Sequence, residues 1–281
     1  MKLDGKRVVI TGAGAGLGRE FALALAAKGC SIGVTDIELA RAEETLRLVL
    51  ERGGKGEALR VDVTDPSAVE AMADHFFEAW GGVDLLVNNA GVVSAGYVGD
   101  IPLEDWHWQY DVNFWGVIHG CHFFIPRMKK QGFGHILNVA SSFGFLSFLE
   151  IAPYNSTKAA VISVSETLRT ELAPSGIGVT ALCPMFVRTS LLESLRYTDD
   201  FESNLAHTAF AHARMGADRV AAAGLRAVEK NRLYCVPQLS GQIFWHLKRF
   251  NPELFYRTLA WINGQKWGRG FMLWMARRGF L

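Results

Sequence analysis

Short, almost wholly apolar runs recur along the chain, separated by longer stretches in which apolar residues return every three or four positions. Val8-Val9-Ile10 and Leu85-Leu86-Val87 are runs of the first kind. Such runs, without polar alternation, suit strands buried on both faces of a parallel sheet. They predict seven strands, at Arg7–Thr11, Ser31–Thr35, Ala58–Val61, Asp84–Asn88, His135–Val139, Gly178–Leu182 and Arg232–Val236. The longer stretches predict helices, as at Arg19–Lys28, Leu39–Arg52 and Ser67–Trp80. Strand then helix, repeated, implies right-handed crossovers with helices on both faces. The expected fold is therefore α/β, a doubly wound parallel sheet of about seven strands forming one domain over residues 1–239. Beyond Ser240 the pattern turns aromatic and basic, and 240–281 is expected to be a helical extension rather than an independent domain.

Composition narrows the class without naming a chemistry. The chain has 281 residues, 49% of them hydrophobic, with only 8 prolines, which fits a globular protein with a full core. Cys30, Cys121, Cys183 and Cys235 form no C-x-x-C pair, so neither a disulfide framework nor a zinc ribbon is expected. His119-Gly120-Cys121-His122 has no carboxylate cluster beside it and is read as packing, with no metal expected. Met1–Arg7 leads directly into the first strand and no apolar run is long enough to span a bilayer, so a cytoplasmic protein is expected.

Candidate chemistry begins after the first strand, at Thr11-Gly12-Ala13-Gly14-Ala15-Gly16-Leu17-Gly18. Glycines between a strand and a helix let the backbone approach a pyrophosphate, whose charge then meets the positive end of the helix. The pattern is T-G-x-x-x-G-x-G, because Leu17 stands where the third glycine of G-x-G-x-x-G would fall. Asp36, about 20 residues on, can accept hydrogen bonds from both adenosine ribose hydroxyls and would repel a 2′-phosphate. NAD is thus expected over NADP, although Arg41 offers a charge that could serve a phosphate.

Tyr154 and Lys158 stand four apart at the start of a helix running to about Leu172, on one helical face. A phenol is a poor base at neutral pH, and a neighbouring ammonium favours the phenolate. Tyr154 could then take a proton from an alcohol or return one to a carbonyl. Ser141 closes the strand His135–Val139, where open parallel sheets bind ligands, and could hold the substrate oxygen; Ser142 is its rival.

With these residues the chain resembles the classical short-chain dehydrogenase/reductase family, from Lys6 to about Thr189. The resemblance rests on the Thr11–Gly18 loop, Asp62-Val63, Asn88-Asn89-Ala90-Gly91, Asn113, Ser141, and Tyr154 with Lys158. It implies a Rossmann-like fold, a secondary alcohol and ketone as reactants, and a homodimer or homotetramer. It also implies a catalytic set of Asn113, Ser141, Tyr154 and Lys158, in which Asn113 holds a water and Lys158 also binds the nicotinamide ribose. The cofactor set it implies is Gly12, Gly14, Gly16, Leu17, Gly18, Asp36, Asp62, Val63, Asn89, Ala90, Gly91, Tyr154, Lys158, Pro184, Val187 and Thr189. Ser141 rather than Ser142 gives the family's thirteen-residue spacing to Tyr154. Met185 stands where the family usually has glycine, and the chain's ending departs from the family's.

The stretch from Phe143 to Pro153 is apolar and must border the reactive centre. A lid is expected over Phe186–Met215, adding Leu191, Leu192, Leu195, Phe201 and Phe210 with few charges, so a lipophilic alcohol or ketone is the expected substrate. Residues 240–281 hold seven basic residues against one acidic, whereas the rest holds 22 against 27. Trp245, Trp261, Trp267 and Trp274 lie among those charges, which suits either a membrane surface or packing over the body and a partner subunit. The alternative to an enzyme is a nucleotide-binding protein without turnover that docks through this tail. A methyltransferase with a similar loop would not need Ser141, Tyr154 and Lys158.

Overall fold

The computed structural model describes residues 1–280. Seven parallel strands form the main sheet: β1 (Arg7–Thr11), β2 (Ser31–Asp36), β3 (Lys55–Arg60), β4 (Leu85–Asn88), β5 (Gly134–Val139), β6 (Ile177–Leu182) and β7 (Tyr234–Cys235). Their order is β3-β2-β1-β4-β5-β6-β7, so the winding direction reverses between β1 and β4. A crevice opens at that reversal, beyond the carboxyl ends of the strands. The register joins Val8 to Leu85 on one side and Val8 to Ile32 on the other.

The expected strands are all present, with two shifts of interest. β3 begins at Lys55, three residues before the expected Ala58, because an edge strand half open to solvent carries polar residues that an apolar-run criterion passes over. Helix α1 (Gly16–Ala26) begins three residues before the expected Arg19, its first turn being made by the loop glycines themselves. Helices α2 (Leu39–Glu51) and α3 (Pro66–Trp80) fall within a residue of expectation; Asp65 caps α3 by accepting from the Ser67 N–H.

Two apolar layers sandwich the sheet. On one face Phe21 and Leu25 of α1 and Val220 and Leu225 of α9 (Ala217–Glu229) pack on Val8, Ile10 and Ile32. On the other, Phe76 of α3, Phe124 of α5 (Gly116–Gln131) and Val161 of α7 (Ala152–Glu171) pack on Val9, Leu86 and Ile136. Between α4 (Leu103–Tyr110) and α5 one turn is a π-helix, Asp111–Trp115. A short helix α6 (Ser142–Leu146) follows β5. A further helix α8 (Asp200–Ala211) precedes α9, and the tail forms α10 (Leu239–Phe250), α11 (Pro252–Asn263) and α12 (Gly268–Arg277). No helix among the described residues is long and apolar enough to cross a membrane.

Candidate active site

A cavity of about 520 Å³ runs from the carboxyl ends of β1 and β2, past β4 and β5, to α8. Gly12, Ala15, Gly16 and Leu17 form part of its wall. Gly12 takes φ +60° and packs so closely that an added Cβ would lie 2.8 Å from Ala90 Cα, while Gly16 takes φ +51°. Ala15 caps α1 without any side-chain hydrogen bond, and the first turn carries no acidic residue. That helix end, without a side-chain cap and opening on the cavity beside Thr189 and Ser190, fits the pyrophosphate of a dinucleotide. Asn89 holds the loop: its N–H donates to Thr11 Oγ1 at 3.0 Å, and its Nδ2 donates to Thr11 O and Gly12 O at 2.9 Å each.

Two of the loop glycines shape the loop from behind the cavity wall. Gly14 donates its N–H to Asp36 Oδ2 at 2.9 Å and packs on Arg41. Gly18 is pressed against Gly12 O and Asn89 Nδ2, where a side chain would separate helix from loop. Asp36 Oδ1 accepts the Glu38 N–H at 3.1 Å, and Asp36, Asp62, Val63, Ala90 and Gly91 line the cavity. Arg41 is already engaged, with Glu193 Oε2 at 2.8 Å and Glu38 Oε2 at 2.9 Å. The Glu193 hydrogen bond, opposed by burial and aided by Glu38, raises its pKa. This end of the cavity therefore presents Asp36, Glu38 and Glu193 with Arg41 matched to two of them.

Ser141, Tyr154 and Lys158 meet at the other end, against Val139 and Ala140 of the cavity wall. Ser141 caps α6 by accepting the Phe143 N–H at 3.2 Å and donates to Pro184 O at 3.3 Å. Ser142 is instead 1% exposed, its hydroxyl donating to Cys183 O at 2.8 Å. Pro153 occupies the first turn of α7, where its missing N–H is harmless, and sets Tyr154 and Lys158 one turn apart. Lys158 is buried; its Nζ donates to Val139 O at 2.9 Å and lies 5.6 Å from the centre of the Tyr154 ring.

The expected lowering of the tyrosine pKa by lysine is not what these contacts produce. Burial pushes the Tyr154 phenol up to about 12, and a hydrogen bond with Ser141 offsets only part of that. Burial likewise pushes Lys158 down to about 8. Each group loses more hydration in its charged form than its neighbours return, Ser141 for the phenol and Cys183 for the ammonium.

Asn113, on the π-turn, is fully buried and stands behind the cavity rather than in its wall. Its Oδ1 accepts the Val92 N–H at 2.8 Å, and its Nδ2 donates to Val92 O at 2.9 Å and Thr157 Oγ1 at 3.4 Å. The inserted turn thus fastens α7 to the segment after β4, a use consistent with the usual placement of such turns at functional sites.

Pro184, Val187 and Thr189 line the cavity together with Met185. Met185 is buried, and its N–H donates to Gln238 Oε1 at 3.1 Å. Its side chain is accommodated by Gly241 of α10, where a Cβ would come within 3.1 Å of Met185 Cγ. The unusual residue and the unusual tail therefore fit each other.

The Tyr154 end is walled by Phe143, Phe148, Ile151 and Phe186, with Phe210 against Phe186, and Leu191, Leu192 and Leu195 line the cavity as well. Phe201 is turned elsewhere, under the Arg269 guanidinium at 4.5 Å. The lid also carries more charge than expected: Glu193 and Glu202 line the cavity, as does Glu150 from the loop before α7. Glu202 is occupied in the capping box of α8, accepting the Asp199 N–H at 3.3 Å, and also accepts the Thr198 N–H at 3.1 Å. Glu150 sits at φ +62° and is buried, with Arg269 Nη2 at 3.6 Å from its Oε1. Among the described residues no cluster could hold a metal ion; His119 Nδ1 contacts Val63 O at 2.9 Å.

The short chain dehydrogenase family model matches residues 6–200. Over 234 residues the chain is 36% identical to the probable oxidoreductase EphD of Mycobacterium tuberculosis, a match covering 80% of this chain and 40% of that relative's length. The 7alpha-hydroxysteroid dehydrogenase of Escherichia coli is 33% identical over 208 residues, covering 74% of this chain and 81% of its own. A solved short chain dehydrogenase/reductase from Burkholderia phymatum, in complex with NAD, superposes with a TM-score of 0.86 at 32% identity, covering 90% and 96% of the two chains.

Proposed function

Because the chain belongs to the short chain dehydrogenase family, whose members are oxidoreductases, we propose that it interconverts a lipophilic secondary alcohol and its ketone with NAD as cofactor. One observation carries this reading: Ser141, Tyr154 and Lys158 line the same cavity as the uncapped start of α1 and Asp36. NAD is favoured because Asp36, Glu38 and Glu193 oppose a 2′-phosphate while Arg41 is held by two of them. When bound, the cofactor supplies a hydride acceptor, or in its reduced form a donor, at the nicotinamide. Pro184, Val187, Thr189 and Lys158 would hold that end, and Gly12, Gly16 and Leu17 the pyrophosphate.

The protein's own part is to place and protonate one oxygen. Ser141 Oγ orients the substrate oxygen, and Tyr154 Oη gives it a proton in reduction or removes one in oxidation. With its pKa near 12, Tyr154 is neutral at physiological pH and ready to donate. Oxidation needs the phenolate, so its rate should rise with pH across the alkaline range, while reduction, which needs the neutral phenol, should lose none of it until pH approaches that value. The aromatic wall around Ser141 supports a bulky apolar substrate, in keeping with the hydroxysteroid dehydrogenase relative.

The test is absorbance at the reduced-nicotinamide band with NAD and secondary alcohols of graded length, and with NADH and the matching ketones. Tyr154→Phe should lower kcat by about 10² to 10⁴ while leaving NAD binding intact. Turnover by the variant at the wild-type rate would overturn the assignment of the proton to Tyr154. Equal efficiency for short and long substrates would overturn the lipophilic assignment.

A further inference from the structure

The tail has two unlike sides. Its inner side is seated on the body: Trp245 stacks on Phe145 with centroids 4.7 Å apart, Tyr256 Oη donates to Leu146 O at 2.8 Å, and Ala276 is buried beside Ala209 of α8. Phe244 and Phe255 join Phe143, Phe148 and Tyr154 in one apolar cluster, so the tail backs the wall of the substrate cavity. Its outer side is apolar and open. Leu239, Ile243, Leu247 and Phe250 follow one another along a single face of α10, all exposed, Phe250 at 90%. Along α11 and α12 an aromatic row runs Trp261, Trp267, Phe271, Trp274, Phe280, with successive ring centroids 5.6, 5.8, 5.8 and 6.1 Å apart. Trp261, Trp267 and Trp274 are about half exposed. Cations flank the row: Lys266 and Arg257 are exposed, and the Arg278 guanidinium lies 5.5 Å from the Trp274 ring.

A contiguous apolar patch of this kind marks an interaction surface. We propose that this outer side docks on the surface of an anionic lipid bilayer, lying in the interface without crossing it. Charge selects the partner. Residues 240–281 carry seven basic residues against one acidic; Arg269 is paired with Asp199 and Glu150 and Lys248 donates to Phe145 O, while the other five make no ion pair among the described residues and draw the tail to anionic headgroups, at whose depth tryptophan settles. Two copies meeting through this face would oppose like charge with like. No helix is long and apolar enough to insert fully among the described residues. The proposal stands independently of the catalytic reading.

Flotation of the full chain with phosphatidylcholine vesicles, with and without phosphatidylglycerol, tests it. Flotation is expected with the anionic vesicles, with loss in high salt. Trp261→Ser/Trp267→Ser/Trp274→Ser should reduce binding by about tenfold or more, as should Arg277→Glu/Arg278→Glu, each reversed charge acting through the surface potential. Circular dichroism reports whether each variant is folded; should the triple variant unfold, the arginine pair decides. Absence of wild-type flotation, or folded variants that float as well as wild type, overturns the proposal. So does a wild-type dimer in light scattering that the tryptophan variant dissociates while neither binds vesicles, since the face then belongs to a second copy.

Discussion

Replacing Asp36 by Asn separates the electrostatic part of cofactor choice from the shape of the loop. Asparagine is nearly isosteric and its oxygen can keep the Gly14 N–H, held at 2.9 Å, giving up only the exposed bond to Glu38. For two unit charges about 5 Å apart, an effective dielectric between roughly 20 and 80 gives about 1–3 kcal/mol of repulsion. That is the advantage an NADP 2′-phosphate would regain. For NAD, exchanging a charged for a neutral acceptor at the ribose hydroxyls costs about 1 kcal/mol. Together the NAD to NADP ratio of kcat/KM should fall by about 2–4 kcal/mol, or roughly 30- to 1,000-fold. Glu38 and Glu193 remain in Asp36→Asn, which favours the lower part of that range. The assay is kcat/KM for both cofactors with one alcohol at fixed ionic strength. A ratio changed by less than about threefold would refute the placement of Asp36 against the ribose.

Three further perturbations test other parts of the structure. Gly18→Ala would press a methyl into Gly12 O and to 2.6 Å from Asn89 Nδ2, so α1 must shift from the loop. The cost should be about 1–3 kcal/mol, with a raised KM for NAD, measured by urea denaturation and steady-state kinetics; unchanged values would contradict the close packing. His135, whose Nε2 lies 2.8 Å from Thr180 Oγ1, is pushed by burial down to about 3. Its folded pKa is below its unfolded one, so its contribution is complete above pH 6.5 and is lost as pH falls, about 2 kcal/mol of it by pH 5. His135→Gln should flatten that slope, compared by denaturation at neutral and mildly acid pH; an unchanged slope assigns the acid sensitivity to other groups. Arg269→Ala removes the 2.8 Å bond to Asp199 and the counter-charge of buried Glu150. Since Arg269 is itself 43% exposed, solvent screening holds the loss to about 1–2 kcal/mol. Adding Glu150→Gln should restore part of it, and no restoration would mean that Glu150 carries no uncompensated charge.

The strands were legible where burial on both faces made them continuous apolar runs. β1 falls where Val8-Val9-Ile10 predicts it, and β4 differs by one residue at its start. β3 shows the limit. At the sheet edge it reads Lys55-Gly56-Glu57-Ala58-Leu59-Arg60, and with one side open to solvent its pairing with β2 leaves only a weak trace in composition. The tail shows another limit. Its aromatic and basic character was visible, but nothing in the spacing distinguishes Trp245, stacked inward on Phe145, from Trp261, Trp267 and Trp274, which face outward.

At the site, spacing identified which residue types meet, because Tyr154 and Lys158 lie one turn apart and Ser141 follows a strand end. It did not reveal which atoms stay free. The Gly14 N–H is taken by Asp36 and the side chain of Asn113 by Val92, outcomes decided by partners 22 and 21 residues away. Glu150, Glu193 and Glu202 come to one cavity partly because Arg196–Tyr197 pairs with Ser94–Ala95, a contact with no short-range signature. The electrostatics depended most on the fold. A lysine near a tyrosine predicts an acidified phenol in water, yet desolvation scales with burial, which residue spacing does not encode. The outcome is a neutral Tyr154 beside a lysine with pKa near 8, so raising pH through that range removes the ammonium well before it ionises the phenol. Rate profiles for oxidation and reduction should consequently carry a step near pH 8 that belongs to Lys158, and Lys158→Met should abolish that step. Its survival in the variant would assign it to another group.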